Sequence, residues 1–281
     1  VLSIRALDQF DTFFTDLYDA CEEMDIPADT AISEAGLGQF EINLMHQDDA
    51  LRAADDAWLF KMLVKGLARR HGFAASFMAK PYEDYAGSGM HMHFSVLDSD
   101  GRNIFDDGGP RGTDVLRHAI AGCLAAMHDS TLVFAPHLNS YDRLIPENHA
   151  PCGICWAYEN RTSAIRVPSG SPAARRIEHR VAGGDVNPYL LVAAILGAAL
   201  TGIEDAQEPP EPISGNAYAQ DLPRIPADWG AAMDAFEQSA IMPRILPEDL
   251  IRNLLLTKRQ ELYYMSELSP TEQVEIYLDT V

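Results

Sequence analysis

Three short segments of this chain alternate two kinds of side chain with a period of two. In the first, Gln39, Glu41 and Asn43 share one face and Phe40, Ile42 and Leu44 the other. In the second, His91, His93 and Ser95 alternate with Met90, Met92, Phe94 and Val96. In the third, Arg176, Glu178 and Arg180 alternate with Ile177, His179 and Val181. Successive side chains of a strand point to opposite faces, so each segment reads as a β-strand with one apolar face for a core. For any single strand, a polar face that simply meets water is the ordinary reading.

The kind of polar residue argues otherwise. Solvated strand faces are commonly mixtures of Thr, Lys, Glu and Ser, whereas these offer carboxylates, imidazoles and guanidiniums together. Carboxylate and imidazole suit a divalent cation. A guanidinium fork suits phosphate and carboxylate. If the three faces line one cavity, it takes a metal–nucleotide complex and an acidic substrate. Arg143, Arg161, Arg166, Arg175, Arg176 and Arg180 crowd into one stretch of a chain that carries 42 acidic and 21 basic residues. They form either an internal anion site or salt bridges to the surplus carboxylates. The net charge of −21 repels phosphate backbones and excludes nucleic acid as an expected partner.

The rest of the chain frames these strands. Helical spacing runs over 4–24, 48–71, 113–129 and 187–204, with Thr113 as a candidate N-cap and Pro188 in a first turn. Further strands are expected at 73–79, 89–97 and 174–182. Residues 133–170 read as loops with short strands, 207–227 as an exposed loop, and the remainder as short helices. The apolar run from Tyr189 to Ile203 is shorter than the roughly 20 residues a membrane span needs. The four cysteines do not form a disulfide framework, which fits a reducing, cytoplasmic setting. Cys152 and Cys155 make a lone C-x-x-C, either a zinc or redox pair or, more ordinarily, two buried thiols.

Several motifs occur in a fixed order: Glu34-Ala-Gly-Leu-Gly-Gln-Phe-Glu41, Lys80-Pro81, Gly87-Ser-Gly-Met-His-Met-His93, Asn139-Ser-Tyr-Asp-Arg143, Asn160-Arg-Thr-Ser-Ala-Ile-Arg166 and Arg176-Ile-Glu-His-Arg180. This series resembles the catalytic domain of the glutamine synthetase family, and the wording is most similar to its γ-glutamylpolyamine synthetase branch. The resemblance implies an α+β fold, with a curved, mostly antiparallel sheet lining the active site and helices behind it. It implies an ATP-dependent carbon–nitrogen ligase that makes γ-glutamyl phosphate from L-glutamate and passes it to an amine. Ammonia as the amine is the alternative, and a non-catalytic relative of the family a further one.

By the same resemblance, Glu34, Glu41, His91 and Glu178 hold two or more Mg²⁺ or Mn²⁺ ions. His93, Ser95, Arg161, Arg166 and Arg176 bind ATP, and Gly87, Arg143 and Arg180 grip glutamate. Arg161 and His149 are the catalytic candidates. His149 stands where ammonia-using members carry a flap glutamate, a change on the amine side that favours a larger amine. The family's E-x-E strand and small N-terminal β-rich domain do not precede Glu34. The expectation is therefore of a catalytic domain that, alone, lacks full activity. The family assembles as double-ring dodecamers, so a homo-oligomer is expected of the full-length protein.

Overall fold

The computed structural model describes residues 3–146 and 149–281. At the N-terminal side, helices α1 (Ile4–Asp8) and α2 (Asp11–Glu23) precede strands β1 (Ala28–Ser33) and β2 (Phe40–Leu44) and the long helix α3 (Ala50–Arg70). The helix expected over 4–24 is broken because Phe10 leaves helical geometry and turns inward, edge-on to Phe40 at 5.2 Å and Phe73 at 5.4 Å. Strand β1, which its small residues concealed, pairs antiparallel with β2, Ile32 opposite Glu41. The apolar face of β2 lies on Phe14, Leu17, Phe60 and their neighbours, leaving Glu41 and Asn43 exposed. Asp49 caps α3 by accepting from the Leu51 and Arg52 amides.

The larger body begins with β3 (Met92–Phe94), α4 (Asp114–Met127), α5 (Thr131–Phe134) and α6 (Ser140–Arg143). Strands β4 (Trp156–Tyr158), β5 (Ile165–Val167) and β6 (Ile177–His179) follow, then α7 (Pro188–Glu204). Helices α8 (Trp229–Gln238), α9 (Met242–Ile245), α10 (Glu248–Ser266) and α11 (Pro270–Thr280) complete the chain, α10 running longer than the short helices expected there. Thr113 caps α4 through its hydroxyl, as expected. Four strands form one sheet in the order β3-β6-β5-β4, antiparallel except for the β4–β5 pair. The mostly antiparallel character holds, but the three polar-faced strands are divided between two small sheets. The apolar face of the larger sheet, with Phe94, Ile165, Val167 and Ile177, packs into the core made by α4 and α7.

Two segments differ from expectation. Residues 73–79 enter no ladder; Phe77 donates instead to the Val281 carbonyl at 3.4 Å. Residues 207–227 do not form an exposed loop throughout. Hydrogen bonds from Ile213 to Trp156, Ile154 to Pro223 and Ile225 to Cys152 hold the segment onto the β4 region, and Ala217 and Ile225 are buried. No helix among the described residues is long and apolar enough to cross a membrane.

Candidate active site

Strand register builds the centre of the site. Glu178 on β6 lies opposite His93 of β3 on one side and Arg166 of β5 on the other. Directly opposed residues share a face, so imidazole, carboxylate and guanidinium form one row across three strands. Glu178 is 2% exposed. Its Oε1 accepts from Arg180 Nη1 at 2.5 Å and its Oε2 from Arg166 Nη1 at 2.8 Å. His91 Nδ1 and His93 Nε2 stand 3.5 and 3.8 Å from Oε1. Burial alone would raise the Glu178 carboxyl, but the guanidiniums of Arg180 and Arg166 outweigh it and hold the group below its usual range. It stays charged.

The histidines are held neutral. Burial first, then the charge of Arg180, pushes His91 down to about 3, although 30% of its side chain stays open. Burial also lowers His93. Arg176 Nε donates to His93 Nδ1 at 3.1 Å, so the neutral ring carries its proton on Nε2, facing Glu178. A neutral imidazole with a free lone pair is the form a metal ion binds. His179, on the opposite face of β6, is a different kind of residue. It is 1% exposed, packs on Phe134 at 4.6 Å, and burial pushes it down to about 3.

A second pair of carboxylates lies on the smaller sheet. Glu34 and Gln39 close a turn in which the Glu34 amide donates to the Gln39 carbonyl at 2.9 Å and Gly38 takes φ +63°. Gln39 then ties this turn to the glycine loop, donating from Nε2 to the Gly87 carbonyl at 2.9 Å. Burial and the charge of Glu34 raise the Glu41 carboxyl, with Arg161 and Arg180 opposing them. A carboxylate raised by a carboxylate neighbour gains from a cation bound beside it. No group of three or more His, Cys, Asp or Glu gathers as a metal cluster among the described residues. The donors stand as two half-sites, Glu34 with Glu41 and His91 with Glu178. Their chemistry fits divalent ions that complete their shells with oxygens from elsewhere, such as phosphate or water.

The substrate side is set by close approach. Arg143, at the end of α6, is 4% exposed and donates from Nη1 to the Val181 carbonyl at 2.7 Å. It has no carboxylate within ion-pair distance among the described residues, and burial pushes it down to about 10. A buried cation with no carboxylate in direct ion pairing is a prepared anion site. Gly87 and Gly89 cover it: a Cβ on Gly87 would lie 2.5 Å from the Ala79 carbonyl and 2.9 Å from Arg143 Cγ, and one on Gly89 2.7 Å from Arg143 Nη2. A side chain at Gly87 would meet backbone, and one at Gly89 would displace the Arg143 guanidinium.

The remaining candidates divide. Ser95 is exposed just beyond β3. Arg161 is exposed on the β4–β5 loop, beside an open pocket of about 620 Å³ formed with Asn160, Thr162 and residues 213–216. His149 is exposed at φ +60°; the flap expected around it would include residues 147–148, which lie outside the described residues. Arg175 leaves the arginine cluster: its guanidinium bonds the Gly109 and Pro110 carbonyls and approaches Asp106 at 3.5 Å, so it braces a loop. Cys152 and Cys155 are buried thiols that burial pushes up, which makes them inert. The sequence offered no role for Asn139, whose side chain bonds both the amide and the carbonyl of Lys80 and so shapes the loop before Gly87. Its place in a motif was the one signal available.

The family model "Glutamine synthetase, catalytic domain" matches residues 1–277. The chain belongs to the glutamine synthetase family. It is 37% identical over 275 residues to the γ-glutamylputrescine synthetase PuuA of Escherichia coli, covering 98% of this chain and 58% of that protein. It is 35% identical over 254 residues to a glutamate–isopropylamine ligase of Pseudomonas, covering 89% and 55%. A ligand-free structure of GmaS superposes with a TM-score of 0.86 at 28% identity, covering 99% of this chain and 65% of the other. The chain thus spans a little over half the length of the curated relatives. The family's fold, helices with small, mostly antiparallel sheets, is the one observed.

Proposed function

We propose that this chain is the catalytic domain of an ATP-dependent ligase that joins the γ-carboxyl of L-glutamate to a primary amine of the polyamine type. The row His93–Glu178–Arg166 carries the reading, because it sets a neutral imidazole, a charged carboxylate beside the metal-binding candidate His91 and a phosphate-binding guanidinium on one face. The names of relatives that act on putrescine and isopropylamine support the amine class.

Glu34 and Glu41 would hold a divalent ion on the glutamate side, and His91 and Glu178 one on the ATP side. Bound there, such ions would supply charge neutralisation and alignment of the phosphate oxygens. His93, Ser95, Arg166 and Arg176 would bind ATP, with Arg161 beside the phosphoryl group in transfer. Arg143 and Arg180, under the Gly87 turn, would fix glutamate so that its γ-carboxylate oxygen meets the terminal phosphorus. An O–P bond forms there and the bond to the departing ADP oxygen breaks. The amine nitrogen then attacks the acyl carbon, phosphate leaves, and the surplus proton passes to a base, for which His149 is the candidate. The full-length protein acts as a homo-oligomeric double ring in the cytoplasm. The exposed apolar side chains of Trp58, Leu59 and Met62 on α3 are compatible with assembly.

Mass analysis of the product tests the reaction. With ATP, Mg²⁺, glutamate and putrescine, the full-length protein is expected to form a γ-glutamyl amide; ADP without amide would contradict the second step. His149→Glu is expected to raise kcat/KM for ammonia by about tenfold, since a carboxylate attracts ammonium more strongly than an imidazole does. An unchanged amine preference would remove the flap as its determinant.

A further inference from the structure

Residues 181–185, which follow β6, grip two separate pieces of the substrate side. Toward the glycine loop, the Met90 amide donates to the Ala182 carbonyl and the Gly184 amide to the Ser88 carbonyl, each at 2.9 Å. Gly89 and Gly183 form an isolated antiparallel bridge. Toward α6, Val181 takes the Arg143 guanidinium on its carbonyl, while Asp185 takes the hydroxyl of Ser140 on its carboxylate. Ser140 and Arg143 are the first and last residues of α6, so one segment holds both ends of the helix. Lys61 of α3 fixes that segment from behind, donating to the Gly184 carbonyl at 2.9 Å and the Val186 carbonyl at 3.2 Å.

Asp185 is the charged member of this clamp, and it is 6% exposed. Its Oδ2 accepts from the Ser140 hydroxyl and meets His137 Nδ1 at 3.0 Å. Its Oδ1 has no hydrogen-bond partner and is buried. Carboxylates are rarely kept in such a place without nearby positive charge. Two cations, the buried Arg143 and the half-buried Lys61, supply it. Arg143 and Lys61 are each pushed down by burial, and Asp185 is the leading opposing influence on both. A single-turn helix has almost no stability of its own, so the aim of Arg143 depends on what holds α6.

We propose that Asp185 is a positioning residue: it locks α6 against the glycine loop and thereby sets where the Arg143 guanidinium meets the substrate carboxylate. This rests on the reading that Arg143 grips glutamate. Asp185 acts through Arg143 and Ser140, and the ATP-side row on β3, β5 and β6 does not depend on it.

Steady-state phosphate release by the full-length protein tests the proposal, with glutamate and ATP varied separately. Asp185→Asn keeps the side-chain size and removes the charge. It is expected to raise KM for glutamate about tenfold while KM for ATP stays within about twofold. Ser140→Ala, which removes one hydroxyl and leaves the carboxylate with His137, is expected to raise KM for glutamate about threefold. It carries the test if the Asp185 variant does not fold. A glutamate KM unchanged in the folded variants, or KM values for glutamate and ATP that rise together, would overturn the clamp and leave the ligase reading standing. Absence of any glutamate-dependent release from the wild type would overturn the ligase reading and the clamp with it.

Discussion

Glu178→Ala is expected to lower ATP turnover by the full-length protein at least about a thousandfold. The carboxylate is the common partner of Arg166 and Arg180, and it is the anionic half of the site made with His91. Removing it takes away a metal donor and leaves two guanidiniums, one buried and one half-buried, repelling each other. Loss of one partner from a buried ionic network costs about 3–5 kcal/mol. Here the histidine side is partly open to water, at 30% and 39% exposure for the two rings, so the cost falls toward the lower end. Glu178→Gln separates the two effects. It keeps the side-chain volume and one accepting oxygen, and it is expected to melt nearer to wild type while remaining as inactive as the alanine variant. Near-normal turnover in either variant would remove Glu178 from the site.

The second large effect concerns stability. Gly122→Val is expected to destabilise the protein by about 3 kcal/mol, because overpacking of a tight core forces backbone movement. Helices α4 and α7 meet with no side chain between them at this point. A Cβ on Gly122 would lie 2.1 Å from the Ala198 carbonyl and 2.6 Å from the Gly202 amide, and one on Gly202 2.2 Å from the His118 carbonyl. None of these atoms belongs to a flexible side chain. For a chain of this size the melting temperature should fall by about 10 °C. Gly66 is the control. It is exposed within α3, and a Cβ there meets nothing within 4 Å. Gly66→Ala is therefore expected to stabilise the protein by about 0.5–1 kcal/mol. Calorimetric melting of both variants decides the point. Equal melting temperatures would mean that α4 and α7 are not in backbone contact.

The polar faces of the three strands were legible from the sequence because alternation is local: Glu41, His93 and Glu178 each stand on the face their neighbours imply. Which faces meet was not legible, because register is a relation between distant segments. That is why Arg166 opposite Glu178, and the division of the strands between two sheets, emerged only from the structure. The same limit explains Arg175. Its type and position matched the arginines of the site, but the Gly109 and Pro110 carbonyls claimed it. Residues 73–79 had a strand's pattern and no strand to pair with, whereas β1 had a partner and mostly small or polar residues to announce it. Nothing local marks Gly122, and only the approach of Ala198 and Gly202 makes it indispensable.

Phosphate release by the full-length protein with ATP, Mg²⁺ and glutamate, measured with putrescine, with ammonia and with no amine, tests the central reading most directly. Release that requires glutamate and is driven by putrescine well above ammonia is the expected result. Release driven by ammonia alone would make the protein an ordinary glutamine synthetase, and absence of glutamate-dependent release with every amine would contradict the ligase reading itself.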